Sequence, residues 1–209
     1  MTERPEVELC ILGVDLAGVP HRPTGMCVLR GLKAKTCLAY SDAEIIECAE
    51  KEKPDLIAID APLSLPPSRK TIEDRNGEHY RVCDLELRRR KIPFFPITLG
   101  PMRVLTVRGI ALRGELEKKG FRVAEMYPGG AQDIWKIPRA RRNLPGLRRG
   151  LRHLGIKGLK KDISDHELDA ATGALVGLHF LQDKAEVYGN FTQGAILMPK
   201  TAGLINTAC

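Results

Sequence analysis

Two runs of the chain, "VELCILGV" at 7–14 and "DLIAID" at 55–60, are almost wholly apolar, and each closes on an aspartate, Asp15 or Asp60. A strand without polar alternation has to be buried on both faces, so it belongs at the centre of a sheet covered by helices. The chain between them agrees. "GMCVLR" and "AKTCLAY", separated by a glycine-containing turn, read as two further strands that complete an antiparallel meander with the first. Residues 41–53 carry Ile45, Ile46 and Ala49 at helical spacing. "APLSLPPS" after the second run excludes helix and central strand, leaving a loop.

Further on, helices are expected over 79–91 and 102–119, the second with Leu105, Ala111, Leu112 and Leu116 at helical intervals and Gly120 as its stop. "FRVAEMYP" reads as a strand, and "AEVYGN" with "GAILMPK" as a terminal hairpin. The whole is a mixed α/β layer architecture with helices packed on a sheet. Its 209 residues suit one domain, 1–209, with an insertion of short helices and loops at about 134–161.

That insertion holds ten Lys and Arg and no acid, so without it the net charge of +7 would become −3. A charge so concentrated attracts a polyanion, or else marks a solvated loop. The start, "MTERPEVELCILGV", lacks the basic region and long apolar run of a signal peptide, and no stretch is long enough to span a membrane. A cytoplasmic protein is expected. The six cysteines show no close pairing such as C-x-x-C, which fits buried thiols rather than disulfides or a zinc site.

If the two apolar strands are parallel neighbours, ~4.8 Å apart, Asp15 and Asp60 emerge together at their carboxyl ends, where open α/β sheets bind ligands. Two carboxylates that close repel unless a cation or a proton lies between them. Mg²⁺ or Mn²⁺ suits hard oxygen ligands. A second group of acids opens the last helix. Ser164 and Glu167 form a capping-box pattern, which puts Asp165, His166 and Asp169 on neighbouring positions of one surface. Ala170, Ala171, Gly173, Ala174 and Gly177 let that helix lie close to what it covers. Each acid has a plainer reading: Asp165 opposes the helix dipole, and Asp15 and Asp60 cap loops. Glu125 shares a strand face with Phe121 and Val123, so it points inward as a ligand, a base, or the partner of an arginine. His166 is a ligand, a general base, or a surface residue.

"GVDLAG" at 13–18, "IAIDAPLSLP" at 57–66, "CDLELRRR" at 83–90, "MYPGGAQD" at 126–133 and "HELDAATGAL" at 166–175 resemble domain of unknown function family 429. Its members are regarded as predicted nucleases of the ribonuclease H-like superfamily. The resemblance implies a mixed five-stranded sheet with helices on both faces, here with the basic insertion and a C-terminal hairpin. It also implies metal-binding acids at Asp15, Asp60 and Asp169, with Asp165 or His166 as the fourth group. Several nucleases of the superfamily carry glutamate where this chain has the shorter Asp60.

The expected activity is hydrolysis of phosphodiester bonds in DNA or RNA with Mg²⁺ or Mn²⁺ held by Asp15, Asp60, Asp165 and Asp169, and with Glu125 and His166 as further catalytic candidates. Arg88, Arg89, Arg139, Arg141, Arg142, Arg148, Arg149 and Arg152 are the expected contacts to nucleic acid. Some of the "LRRRK" charges should instead pair with Asp84 and Glu86. A homodimer is the assembly that symmetric cutting of a junction would require. The alternatives are a non-catalytic nucleic-acid-binding or scaffold protein, and a relative of actin-like phosphotransferases, whose first phosphate loop "GVDLAG" resembles.

Overall fold

Residues 8–75 and 77–200 are described by a computed structural model. Strands β1 (Cys10–Asp15), β2 (Thr24–Arg30) and β3 (Lys33–Ala39) form the antiparallel meander. β4 (Leu56–Asp60) lies parallel to β1 on its other side, and β5 (Val123–Met126) lies parallel to β4. This order, β3-β2-β1-β4-β5 with β2 antiparallel to its neighbours, is a mixed five-stranded sheet. The terminal hairpin of β6 (Ala185–Asn190) and β7 (Gly194–Pro199) docks β7 parallel to β5 and extends the same sheet to seven strands.

Helices cover both faces. α1 (Asp42–Glu52) and α3 (Gly100–Lys118) pack Ile45, Ala49, Leu112 and Leu116 against Leu12, Val14, Ile57 and Ile59. On the other face α6 (Asp165–Leu181) packs Leu168, Ala171 and Leu175 against Ile11, Leu56, Ala58 and Met126. Alternate residues of β1 and β4 therefore enter different cores, and each large side chain contributes ~1.5–3 kcal/mol by leaving water. Ser41 and Glu44 close a capping box on α1, and Lys53 ends it in the left-handed region.

The structure departs from the sequence reading in three places. α2 (Val82–Arg89) starts three residues later than 79, because Arg81 is extended and turns its side chain inward. α4 (Pro128–Ile134) was not expected; Pro128 opens it where a missing N–H costs nothing. The basic segment, expected to include short helices, is no solvated loop. It forms α5 (Leu144–His153), and Leu147, Leu151, Ile156, Leu159 and Ile163 join the core under α6.

Among the described residues no helix is long and apolar enough to cross a membrane. Cys10, Cys27 and Cys83 are buried free thiols, Cys48 is half-buried and Cys37 is exposed; Cys209 lies outside the described residues.

Candidate active site

The parallel register pairs Asp15 directly with Asp60. Residues opposite each other in register share a face, and both carboxyls project on the α6 side with Gly13 and Ala58. The Asp15 charge therefore acts directly on Asp60. Burial, then the charges of Asp15 and Asp169, drive the Asp60 carboxyl well above the usual carboxylate range.

α6 reaches these acids because two glycines lie beneath it. A Cβ on Gly13 would stand 2.0 Å from the carbonyl oxygen of Ala170, and one on Gly25 would stand 2.0 Å from that of His166. The approach is possible only without side chains at those two positions. The capping box of Ser164 and Glu167 fixes where the helix begins. His166 Nδ1 then sits 2.7 Å from Asp15 Oδ2, and that hydrogen bond raises the imidazole pKa. One turn on, Asp169 Oδ1 accepts from Gln132 Nε2 at 2.6 Å. Burial and the nearby Asp15 push the Asp169 carboxyl up to about 7, although the Gln132 bond pulls it down.

Gln132 stands on α4 and also donates to Thr172 Oγ1 at 3.1 Å. Sequence reasoning missed it. The signal was present in "GGAQD", a buried-length polar residue beside glycine and alanine, but its use depends on a helix that the sequence did not announce.

Asp165 is the first residue of α6; its Oδ1 accepts from the backbone N–H of His166 and its charge lifts the pKa of both His166 and Asp169. Glu125 adds its charge to those that raise the Asp60 pKa, but it does so from the other face of the sheet. Its register partner is Ile59, so it projects on the α1 and α3 face of the sheet. Arg81 donates to both of its oxygens, at 2.6 and 2.8 Å, and the Leu63 N–H donates at 2.8 Å. Of the roles open to it, ligand and base give way to the ion pair. Arg81 also clasps Asp84, and the three are 2%, 2% and 6% exposed for Arg81, Asp84 and Glu125.

The expected basic contacts separate in the same way. Arg139, Arg141 and Arg142 line a cavity of about 460 Å³ that has Asp60, Asp169 and Gln132 in its wall. Arg139 is held by Asp133 at 2.5 Å and lies over the Tyr127 ring. Arg148 donates to the Leu159 carbonyl and so has a structural task. Arg149 and Arg152 are exposed on α5 without reaching the cavity. Arg89 pairs with Glu86, and Arg88 lies over the Tyr80 ring.

Could these acids hold a divalent ion? The donor set fits: carboxylate oxygens are the hard ligands that Mg²⁺ and Mn²⁺ take. Asp15 and Asp60, side by side, need a proton or a cation between them. Among the described residues no three His, Cys, Asp or Glu side chains stand around one point as a finished cage. Mg²⁺ keeps several waters and uses one or two carboxylates, so the Asp15 and Asp60 pair suffices as a seat.

Solved structures similar to the chain include Thermus thermophilus RuvC in complex with a Holliday junction substrate, at 13% identity and TM-score 0.49, covering 90% of this chain and 99% of that one. Thermus thermophilus RuvC without that description gives 12% identity and TM-score 0.47 over the same shares. The yeast mitochondrial Holliday junction resolvase Ydc2 gives 12% and 0.39, covering 80% of this chain and 78% of that one. No curated protein matches the sequence. The profile of the family described as "Protein of unknown function (DUF429)" matches residues 13–193, which span every strand and helix of the five-stranded unit but the first residues of β1, and the chain belongs to that family.

Proposed function

We propose that the protein is a nuclease that hydrolyses phosphodiester bonds with Mg²⁺ or Mn²⁺ held by Asp15 and Asp60, with Asp169 and Asp165 beside them. One observation carries this reading: two acids 45 residues apart in the chain meet in register on one face of the sheet, and burial beside Asp15 drives the Asp60 carboxyl well above its usual range. Two carboxyls buried side by side cost a fold stability unless a proton or cation lies between them, and groups so perturbed gather at functional sites. When bound, the ion supplies Lewis acidity toward a phosphodiester. His166, at 2.7 Å from Asp15, holds a proton at Nδ1 beside the reacting group. Asp169, buried beside Asp15 and held by Gln132, is placed to complete the carboxylate set around the ion. Gln132 orients Asp169, and Arg141 and Arg142 draw the phosphate backbone to the cavity.

The reading is tested by incubating the purified protein with single-stranded, duplex and branched DNA and RNA in Mg²⁺, Mn²⁺ or EDTA. Cleavage that needs the cation and disappears in Asp15→Asn and Asp60→Asn is expected. Equal cleavage by both freshly purified variants, or none by the wild type on any substrate, would leave a nucleic-acid-binding protein in its place.

A further inference from the structure

The cavity beside the carboxylates has a wall that phosphate chemistry does not require. At about 460 Å³ it falls within the ~300–1,000 Å³ of sites that enclose a small organic ligand. Its lining includes the acids Asp60 and Asp169, the bases Arg141 and Arg142, and the rings of Phe94, Phe95 and Tyr127. The chain has only five Phe and four Tyr, and three of these nine gather here.

Two of the three rings are fixed in advance. Tyr127 donates its hydroxyl to the Pro93 carbonyl at 2.7 Å and lies under the Arg139 guanidinium. Phe94 meets Tyr80 edge-on with ring centroids 6.0 Å apart, and Arg88 lies over the other aromatic of that pair. Phe95 differs: it is 70% exposed, on a segment held between Pro93 and Pro96. A large apolar ring held open to water at the edge of a cavity is placed for contact with something planar.

We propose that this cavity receives one nucleotide held out of the helical stack, with its base against Phe94 and Phe95 and its phosphates toward Arg141 and Arg142. The inference rests on the nuclease reading and names its substrate class: nucleic acid with an unpaired nucleotide at the site, as in a single-stranded tail, a flap or a branch. A base inside a continuous duplex keeps both faces stacked and has to be extruded before it can enter a pocket. Stacking on aromatic rings accepts every base, so little sequence preference accompanies the preference for unpaired strands.

Binding separates this inference from cleavage. Fluorescence anisotropy with Ca²⁺ in place of Mn²⁺ compares a short labelled DNA duplex that is blunt with one that carries a single-stranded tail. The tailed duplex should bind about tenfold or more tightly, in line with the free energy of stacking one base. Phe95→Ala should weaken the tailed complex by about 5- to 150-fold, leave the blunt one unchanged, and melt like the wild type. Phe95→Tyr should restore the tailed complex. Equal affinity for the two duplexes, no binding to the tailed one, or a Phe95→Ala protein indistinguishable from wild type overturns the inference. A protein that cuts nucleic acid while Phe95→Ala changes nothing loses only this inference. One that shows the tail preference and its loss in Phe95→Ala, yet never cuts, keeps it and loses the nuclease reading.

Discussion

Replacing Asp169 with asparagine should stabilise the protein while disabling it. Burial and the Asp15 charge lift the Asp169 carboxyl from 3.8 to about 7. At ~1.36 kcal/mol per unit, holding that side chain ionised costs the folded state up to ~4 kcal/mol above pH 7. Asparagine removes the charge and keeps the bond from Gln132, because its Oδ1 also accepts. The direction with pH follows from proton binding. Between 3.8 and about 7 the folded chain keeps a proton at Asp169 that the unfolded chain has released, so stability falls as pH rises through that window. Asp60, raised as well, acts in the same direction and leaves a smaller slope in the variant. Urea unfolding in EDTA from pH 4 to 8 reads both slopes. The variant should be the more stable protein at pH 8, with a midpoint in thermal scans higher by on the order of 10 °C. A variant less stable than wild type at pH 8, or one with the wild-type slope, would refute the reasoning.

Gly13→Ala should cost ~1–3 kcal/mol and abolish cleavage with every acid still in place, because the new methyl meets the Ala170 carbonyl and lifts α6; thermal melts and cleavage assays check it. Arg81→Met should cost ~3–5 kcal/mol in urea unfolding, since it leaves Asp84 and Glu125 buried without their cation. Gln132→Leu removes a bond that lowers the Asp169 pKa, so any pH profile of cleavage that reports Asp169 should move to higher pH. Arg141→Ala and Arg142→Ala should each flatten the salt dependence of nucleic-acid binding by a slope of about 0.7–0.9, measured by anisotropy across ionic strengths.

The centre of the sheet was legible because β1 and β4 have no polar alternation, and a strand of that kind has few places to go. Asp15 and Asp60 were legible for the same reason: an acid that ends such a strand must emerge at its rim. The capping box at Ser164 announced the start of α6, and with it the spacing of Asp165, His166 and Asp169. Other features depend on partners far along the chain. Gly13 and Gly25 look like ordinary strand glycines until α6 is laid over them. Gln132 gains its meaning from a helix that opens on Pro128. Counting arginines overstated the surface charge at the site, because Arg81 is enclosed by Asp84 and Glu125, Arg148 holds the Leu159 carbonyl, and Arg139 is clasped by Asp133. A count of aromatic residues likewise says nothing of the gathering of Phe94, Phe95 and Tyr127 at one cavity.

The central claim is that carboxylates brought together by the sheet and α6 seat a divalent cation. A crystal soaked in Mn²⁺ and measured at the manganese absorption edge tests it directly. An anomalous peak at bonding distance from both Asp15 and Asp60, absent in Asp60→Asn, is the expected result. Density showing the two carboxyls with no anomalous peak beside them at saturating Mn²⁺ would contradict it.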